Sequence, residues 1–151
     1  MDSDSQPQKF FAGEFRHVID EKNRITIPAG WRKDKGEDFI ILPHPSNRYL
    51  LVMSPEEFAR MNARADADGT IPARERRSFS RHLHAQAEHG SSDRQGRLVL
   101  PEDMCTELGL KGEVAFVGGQ GRFEIWNLQN WKRAEEEETP TYQRVADMIG
   151  L

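Results

Sequence analysis

Two aspartate–arginine pairs stand out in the sequence because each lies in the same nine-residue pattern. Asp20 and Arg24 belong to the stretch DEKNRITIP, and Asp93 and Arg97 belong to the stretch DRQGRLVLP. The planar guanidinium of arginine can donate two parallel hydrogen bonds, for instance to the two major-groove acceptors of a guanine. An aspartate at the start of a turn accepts hydrogen bonds from backbone N–H groups. The pattern therefore predicts two exposed turns that present arginine at matched positions.

The residues inside each turn support this interpretation. Asn23 and Gly96 directly precede the arginines, and both residue types tolerate the positive φ that a tight turn with a left-handed residue requires. Lys22 offers a point charge for a phosphate, a contact that adds affinity and salt dependence but no sequence information. The alternative is a salt-bridged turn that only stabilises the fold, and this alternative is favoured for the two aspartates.

The two stretches are part of a longer internal repeat. Asp93 follows Asp20 by 73 positions, and the same offset separates Trp131 from Phe58. The chain is therefore interpreted as two copies of one unit, joined near residues 65–73 by a segment of linker composition. One copy has too few strands and too small a core to be stable alone, so both copies are predicted to form one pseudo-twofold fold.

The sequence of each copy predicts the same order of elements. An apolar stretch and a turn come first, followed by a short strand, a short helix, two strands and a closing helix. The predicted strands cover residues 25–27, 39–42, 49–53, 98–100, 113–117 and 122–126. The predicted short helices, each opened by proline, cover residues 28–35 and 101–108. The first closing helix begins at a capping box at Ser54, and the second follows Asn127 and is predicted to be interrupted at Pro140.

Composition narrows the function classes without selecting one. The formal charge of −4 lies entirely in residues 134–151, so the rest of the chain is neutral and lacks the overall basic balance common in nucleic-acid-binding proteins. The single cysteine, Cys105, excludes an internal disulfide and favours a reducing cytoplasm. No run approaches the roughly 20 apolar residues of a membrane span, and the polar start lacks the features of a signal peptide.

Other residue clusters have competing interpretations. His82, His84 and His89, followed by Asp93, suggest a metal site, but no fourth ligand has a clear spacing and surface histidines are favoured. Cys105 is interpreted as a buried thiol, and the glycine-rich stretch VGGQGR as a hairpin turn because it connects two strands. Phe58, Trp126 and Trp131 are interpreted as core aromatics. A run of arginines is interpreted as a solvated helix face, with phosphate contact as the alternative: Arg74, Arg76, Arg77 and Arg81.

The doubled pattern resembles the MraZ family of bacterial transcriptional regulators, which are built from two AbrB-like swapped-hairpin halves. The resemblance covers residues 11–131 and includes the stretches GEFRHVIDEKNR, SPEEF and VGGQGRFEIWN. Two residues depart from the family pattern. Asn23 replaces a glycine, and Ser92 stands where an apolar residue usually precedes the second aspartate, which predicts weaker anchoring of the second turn.

The resemblance implies an α+β, mainly β fold: a pseudo-twofold swapped-hairpin (double-split) β-barrel with short peripheral helices. It implies a cytoplasmic, nucleoid-associated regulator, neither an enzyme nor dependent on a cofactor or metal. Its expected partners are double-stranded DNA with direct repeats and further copies of itself in a ring. The DNA repeats are expected near its own promoter, ahead of a division and cell-wall gene cluster. A protein-interaction or assembly module on the same barrel is the alternative, and a metal-dependent enzyme using the histidines is a second one.

Carried onto this sequence, the resemblance and the turn chemistry together define the candidate site. The predicted DNA-contacting residues are Lys22, Asn23, Arg24, Arg94, Gln95 and Arg97, and the predicted turn-stabilising residues are Asp20 and Asp93. The predicted organisation is a disordered leader (1–10), a first half (11–66), a linker with a basic helix (67–81), a second half (82–131) and a C-terminal helical tail (132–151).

Overall fold

The computed structural model of the chain describes residues 10–33 and 35–151, so the predicted leader lies outside the described residues except for Phe10. The described residues form eight strands and four α-helices. The strands are β1 Glu14–Ile19, β2 Arg24–Thr26, β3 Asp38–Pro43, β4 Tyr49–Met53, β5 Glu88–Ser91, β6 Arg97–Val99, β7 Gly112–Val117 and β8 Arg122–Asn127. The helices are α1 Pro55–Ala67, α2 Ala73–Gln86, α3 Glu102–Leu108 and α4 Leu128–Met148.

The strands form a six-stranded antiparallel sheet and a separate two-stranded ribbon. The sheet has the order β1-β7-β8-β4-β3-β5, and the ribbon consists of β2 and β6. Exchanging each strand for its counterpart in the other copy reverses the sheet order and leaves the ribbon unchanged. The topology therefore has the pseudo-twofold symmetry that the sequence repeat predicts.

Most strand pairings join the two halves of the chain. The pairs β1–β7, β4–β8, β3–β5 and β2–β6 each take one strand from either half, whereas β3–β4 and β7–β8 are pairings within a half. Neither half contains a complete sheet of its own, so the halves are interleaved along the whole ladder.

The fold is α+β and mainly β, as predicted, but the closed barrel is not confirmed. In the described residues β1 and β5 are the free edges of an open sheet, and no ladder joins them. Each edge strand instead ends in a tight turn that leads the chain into the ribbon. The ribbon packs Ile25 and Leu98, 1% and 0% exposed, into the main core together with Phe116 and Phe123 of the sheet.

The predicted helix over residues 28–35 is wrong, because in the described part of this range, residues 28–33 and 35, the chain forms a single 3-10 turn, Ala29–Trp31. Its middle residue is glycine, which has a low helix propensity. The chain leaves the helical path at Arg32, whose backbone is extended. Trp31 places its ring in the core, where it is 3% exposed and its Nε1 donates to the carbonyl of Ala12 at 2.9 Å. The matching stretch of the second copy forms helix α3.

The predicted interruption at Pro140 is also wrong, because α4 runs through that residue without a break. Proline lacks the N–H that would bond the carbonyl four residues earlier, and it costs about 3 kcal/mol inside a helix. That earlier residue, Glu136, is exposed, so water can satisfy its carbonyl. The remaining hydrogen bonds on both sides of the proline hold the helix together.

The closing helices of the two copies begin in the same way. The Ser54 hydroxyl accepts the N–H of Glu57 at 3.1 Å with proline at the first helical position, which confirms the N-cap that the predicted capping box requires. The Asn127 side chain caps α4 by accepting from the backbone of Gln129 at 2.8 Å and of Asn130 at 3.2 Å. Both helices are therefore fixed at their first turn, directly after the last strand of their copy.

Candidate nucleic-acid interface

The first turn is held by one carboxylate that accepts several hydrogen bonds. Asp20 Oδ1 accepts the backbone N–H of Lys22 at 2.9 Å and that of Arg24 at 2.8 Å. The backbone N–H of Asp20 donates to the carbonyl of Arg24 at 3.0 Å, and that of Asn23 donates to the carbonyl of Asp20 at 3.0 Å. The turn is therefore closed by both its main chain and its aspartate.

The second turn repeats this arrangement bond for bond. Asp93 Oδ1 accepts the backbone N–H of Gln95 and that of Arg97, both at 2.9 Å. The N–H of Asp93 donates to the carbonyl of Arg97, and the N–H of Gly96 donates to that of Asp93, both at 3.0 Å. Asn23 and Gly96 have φ values of 58° and 80°, which confirms the predicted left-handed residue in each turn.

Each aspartate also holds the side chain of its arginine. Asp20 Oδ2 lies 2.7 Å from Arg24 Nε, and Asp93 Oδ2 lies 2.7 Å from Arg97 Nε. The arginines are partly exposed, 37% and 46% by side chain, and their Nη atoms make no hydrogen bond to any residue that the structure describes. Because the carboxylate occupies Nε, the Nη edge of each guanidinium is left for a ligand.

The aspartates stay ionised in these turns. The hydrogen bond from the backbone N–H of Arg24 is the largest cause that holds the pKa of Asp20 below its usual range, and the N–H of Arg97 does the same for the pKa of Asp93. An ionised aspartate beside an arginine makes a pair with no net charge. The arginines are therefore suited to directional hydrogen bonding more than to general attraction of phosphate.

The ribbon brings the two arginines to one surface. In the ladder Arg24 lies opposite Val99, and Thr26 lies opposite Arg97. These four residues share the outer face because the residues between them point into the core. Diagonal neighbours on one face of an antiparallel pair are about 7–8 Å apart, so the two arginines start from neighbouring positions on this face. We call these four residues the ribbon face.

Sequence reasoning missed two members of the ribbon face. Thr26 is exposed and Val99 is 57% exposed, which is unusual for a valine in a small strand. The alternation of polar and apolar residues in the strand RIT could have assigned Thr26 to the outer side. The strand RLV does not alternate, because Val99 is apolar, so only its repeat offset of 73 positions from Thr26 points to the same side. What the sequence did not contain is the pairing of the two strands, which lie in different copies.

The two turns differ in how they are supported from below. Arg32 Nη1 donates to the carbonyl of Gln95 in the second turn. The position 73 residues later is Cys105, whose short side chain lines a cavity of about 620 Å³ beside Asp20 and Asn23 of the first turn. Burial raises the pKa of the Cys105 thiol to about 11, so this cysteine is a neutral buried group. One turn is braced by an arginine, and its counterpart borders a cavity.

This difference predicts unequal responses at the two left-handed positions. A Cβ added at Gly96 would collide with the side chain of Arg32 and would sit on a backbone with a φ of 80°. We expect Gly96→Ala to lower the free energy of unfolding by about 1–3 kcal/mol through backbone strain and crowding. Asn23→Gly should change it by less than about 1 kcal/mol, because both residue types adopt a positive φ and the easier backbone fit of glycine is offset by its larger entropy loss on folding. Thermal melts of both variants measure this.

The control for this prediction is Gly96→Ala combined with Arg32→Ala. Removing the arginine should recover the steric part of the loss and leave the part due to the positive φ. Equal melting temperatures for Gly96→Ala and the wild type would contradict the requirement for glycine.

Ser92, where the sequence predicts weaker anchoring of the second turn, is in fact held by hydrogen bonds. It is 8% exposed, its N–H donates to the carbonyl of Glu37 at 2.8 Å, and its hydroxyl accepts the N–H of Glu37 at 3.0 Å. The matching residue of the first copy, Ile19, is buried in the apolar core at 6% exposure. A polar anchor thus takes the place of an apolar one.

The other predicted contact residues surround the ribbon face at the turns. Lys22 and its counterpart Gln95 are exposed, as are Glu21 and its counterpart Arg94. The outer positions of the two turns therefore differ in charge: the first carries an acid and a lysine, and the second carries an arginine and an amide.

The histidines of the suggested metal site are held apart. His82 and His84 lie on α2, where their Nδ1 atoms are 2.8 Å from the carbonyls of Ser78 and Ser80, while His89 lies on β5. Nowhere in residues 10–33 and 35–151 do three histidine, cysteine or acidic side chains come together as a metal site would require. Within the same ranges, no helix has the length and apolar character needed to cross a bilayer.

Comparison with known proteins places both halves in one family. The family model described as "MraZ protein, putative antitoxin-like" matches residues 10–80 and 83–151. A protein of Caldicellulosiruptor saccharolyticus named "Transcriptional regulator MraZ" is 31% identical over 137 residues, covering 91% of this chain and 94% of the relative. Relatives of the same name from Heliobacterium modesticaldum and Symbiobacterium thermophilum are 31% and 33% identical over 139 residues, covering 92% of this chain and 96% and 99% of their own lengths.

Proposed function

The chain belongs to the MraZ family, and from that premise we propose that it is a sequence-specific DNA-binding transcriptional regulator. Its relatives are named as transcriptional regulators. The observation that carries the DNA-binding part is the ribbon face, on which two aspartate-held arginines lie diagonal to each other on an exposed antiparallel ribbon. We assign no catalytic residue, cofactor or metal to it.

The ribbon is suited in shape and chemistry to the major groove of DNA. That groove admits a two-stranded β-ribbon, and the Nη edge of an arginine can donate to the O6 and N7 acceptors of guanine. We propose that Arg24 and Arg97 read bases, while Asp20 and Asp93 stabilise the turns and hold the guanidinium planes in one orientation. Holding these planes before binding reduces the side-chain entropy that is lost on contact.

The exposed residues at the turns are proposed to contact the backbone of the duplex beside the ribbon. Lys22 and Arg94 supply positive charge for phosphates, and Asn23 and Gln95 supply amide groups that can donate to phosphate oxygens. Because the first 133 residues carry no net charge, these few contacts give one copy only weak affinity.

Weak binding by one copy makes self-association part of the proposed function. An oligomer that sets several ribbon faces along one duplex gains avidity, provided that the DNA repeats its element at the spacing of the copies. We therefore propose direct repeats in double-stranded DNA near the chain's own promoter, ahead of a division and cell-wall gene cluster, as the target. The protein is proposed to form a ring-shaped homo-oligomer in the cytoplasm, associated with the nucleoid.

The proposed function is tested by titrating the full-length protein onto labelled duplex from the region upstream of its own gene. Fluorescence anisotropy should show saturable binding that weakens as salt rises and that exceeds binding to a scrambled duplex of equal length. Equal affinity for both duplexes would remove the sequence-specific part. The absence of any salt-sensitive binding would instead favour the alternative, a protein-interaction module on this fold.

A further inference from the structure

Helix α4 is the counterpart of α1, but the two helices are covered differently. The first residues of the two helices, Pro55 and Leu128, are separated by the repeat offset of 73 positions, and each helix follows the last strand of its copy. Helix α1 is covered by α2, whose Leu83 packs in one cluster with Phe58 and Met61 of α1. Helix α4 packs on β7 and β8, and no helix of the described residues packs against it as α2 packs against α1.

The uncovered part of α4 continues an apolar stripe. The helix docks on the sheet through Trp131 and Ala134, which pack with Trp126. Beyond Ala134 nearly all of the helix is exposed. Glu138 comes next on this side, and Tyr142 and Val145 then continue it at helical spacing, so the stripe is apolar at both ends with a carboxylate between them. Tyr142 is 67% exposed and Val145 is 43% exposed, and the residues after them add further apolar surface at Met148, Ile149 and Leu151.

The charges beside this stripe are acidic and mostly unpaired. Of the run of four glutamates, Glu135 and Glu138 lie on the side of Trp131 and Tyr142, and neither has an ion pair within the described residues. Glu137 lies farther round the helix and pairs with Arg48 at 3.7 Å. Any partner of this surface must therefore offer positive charge together with apolar contact.

Helix α2 carries the complementary surface. Arg74, Arg77 and Arg81 recur at spacings of three and four residues, which places them on one side of the helix, away from Leu83. All three are exposed, and none has an ion pair with another residue of the described ranges. Arginine stems can lie over apolar surface, and a guanidinium can stack on a tyrosine ring, so this stripe can cover both Tyr142 and Val145.

We propose that the exposed part of α4 of one copy packs against the arginine stripe of α2 of a second copy. Helix α2 of the second protein molecule would then cover α4 in the way that α2 covers α1 within one chain. This deepens the self-association in the proposed function and does not depend on the DNA contacts.

The proposed contact is head-to-tail, because the two surfaces that meet are different. Each copy therefore has one α2 surface and one α4 surface to offer, and successive copies add in the same sense until the rotation closes. A contact of this kind can be blocked on either side separately, which is not possible for a self-complementary one.

Two full-length variants test the contact by sedimentation velocity without DNA. The tail variant carries Tyr142→Asp and Val145→Asp, and the head variant carries Arg74→Glu, Arg77→Glu and Arg81→Glu. The wild type should sediment as an oligomer at micromolar concentration and moderate salt, and each variant alone as a monomer. An equal mixture should form a one-to-one dimer and nothing larger, because one intact contact remains between the two and both outer surfaces are blocked.

Three outcomes would overturn the proposal. The first is a monomeric wild type. The second is a tail or head variant that keeps the wild-type mass, since the contact would then use other surfaces. The third is a mixture that forms no dimer although both variants melt like the wild type. If the head variant stays oligomeric while the tail variant is monomeric, the result would point to pairing of α4 with α4.

The proposal also fails or holds separately from DNA binding. Arg24 lies on the ribbon face and on neither helix, so Arg24→Ala should keep the wild-type mass whatever it does to DNA affinity. Loss of mass in that variant would show that the ribbon takes part in assembly, and would contradict the assignment to α2 and α4.

Discussion

Residues 1–68 expressed alone should remain largely unfolded, with no cooperative melting transition. In that fragment β1 and β2 lose the only ladder partners they have in the described structure, and β3 and β4 each lose one of two. What is left is a single β3–β4 hairpin with helix α1, and an isolated hairpin is marginal in water. Circular dichroism during a thermal melt, with mass measured by light scattering, is the measurement.

The matched control is the complementary fragment, residues 69–151. It should also fail to melt cooperatively alone, because it keeps only the β7–β8 hairpin and its helices. Mixing the two fragments should restore a cooperative transition, since all four pairings between the halves can then form. A fragment of residues 1–68 that melts cooperatively as a monomer would refute the interleaved fold.

Arg24→Ala should abolish detectable binding to the specific duplex while leaving the fold intact. Loss of a bidentate contact to guanine costs about 1–3 kcal/mol for each subunit that makes it. Because an oligomer on repeated DNA makes the contact several times, the losses add across subunits, and even the low end removes measurable affinity. The Arg24 side chain is 37% exposed and, among the described residues, its Nε is held by Asp20 alone, so its removal leaves the core untouched.

Lys22→Ala is the control for this experiment. As a phosphate contact it should weaken binding to specific and scrambled duplexes about equally, and it should lower the salt slope by about 1 for each contact. Arg97→Ala reports on the second turn by the same measurement. Unchanged affinity and selectivity in Arg24→Ala, with its mass and melting temperature preserved, would remove Arg24 from the interface and direct attention to Arg97 and the arginines of α2.

The features that sequence reasoning found are those that short stretches determine. The repeat offset, the left-handed positions 23 and 96 and the strand at Tyr49–Met53 all follow from residue types within one turn or one strand. The N-cap at Ser54 is of the same kind, because the N–H that it accepts belongs to Glu57, three residues away. Local rules suffice where every partner is a near neighbour in the sequence.

The features that sequence reasoning missed depend on residues that are far apart in the chain. No local signal shows that Ile25 pairs with Leu98, although this pairing creates the ribbon face. The open sheet likewise follows from which strands meet, and the bracing of the second turn by Arg32 joins residues 63 positions apart. Pro140 was misjudged for a different reason: a local rule predicts the cost of a proline, but not whether the rest of a long helix outweighs it.

The two ends of the ribbon are not alike, because residues 21–23 of the first turn differ in charge and shape from residues 94–96 of the second. If the ribbon were built from two identical chains, each carrying one copy, its two ends would be the same, and it could not distinguish the two directions along a duplex. Because both copies lie in one polypeptide, the two turns can carry different residues. On the proposed function, a duplex lying on the ribbon meets different groups upstream and downstream, so one protomer distinguishes the polarity of its element and an array of protomers reads every repeat in the same direction.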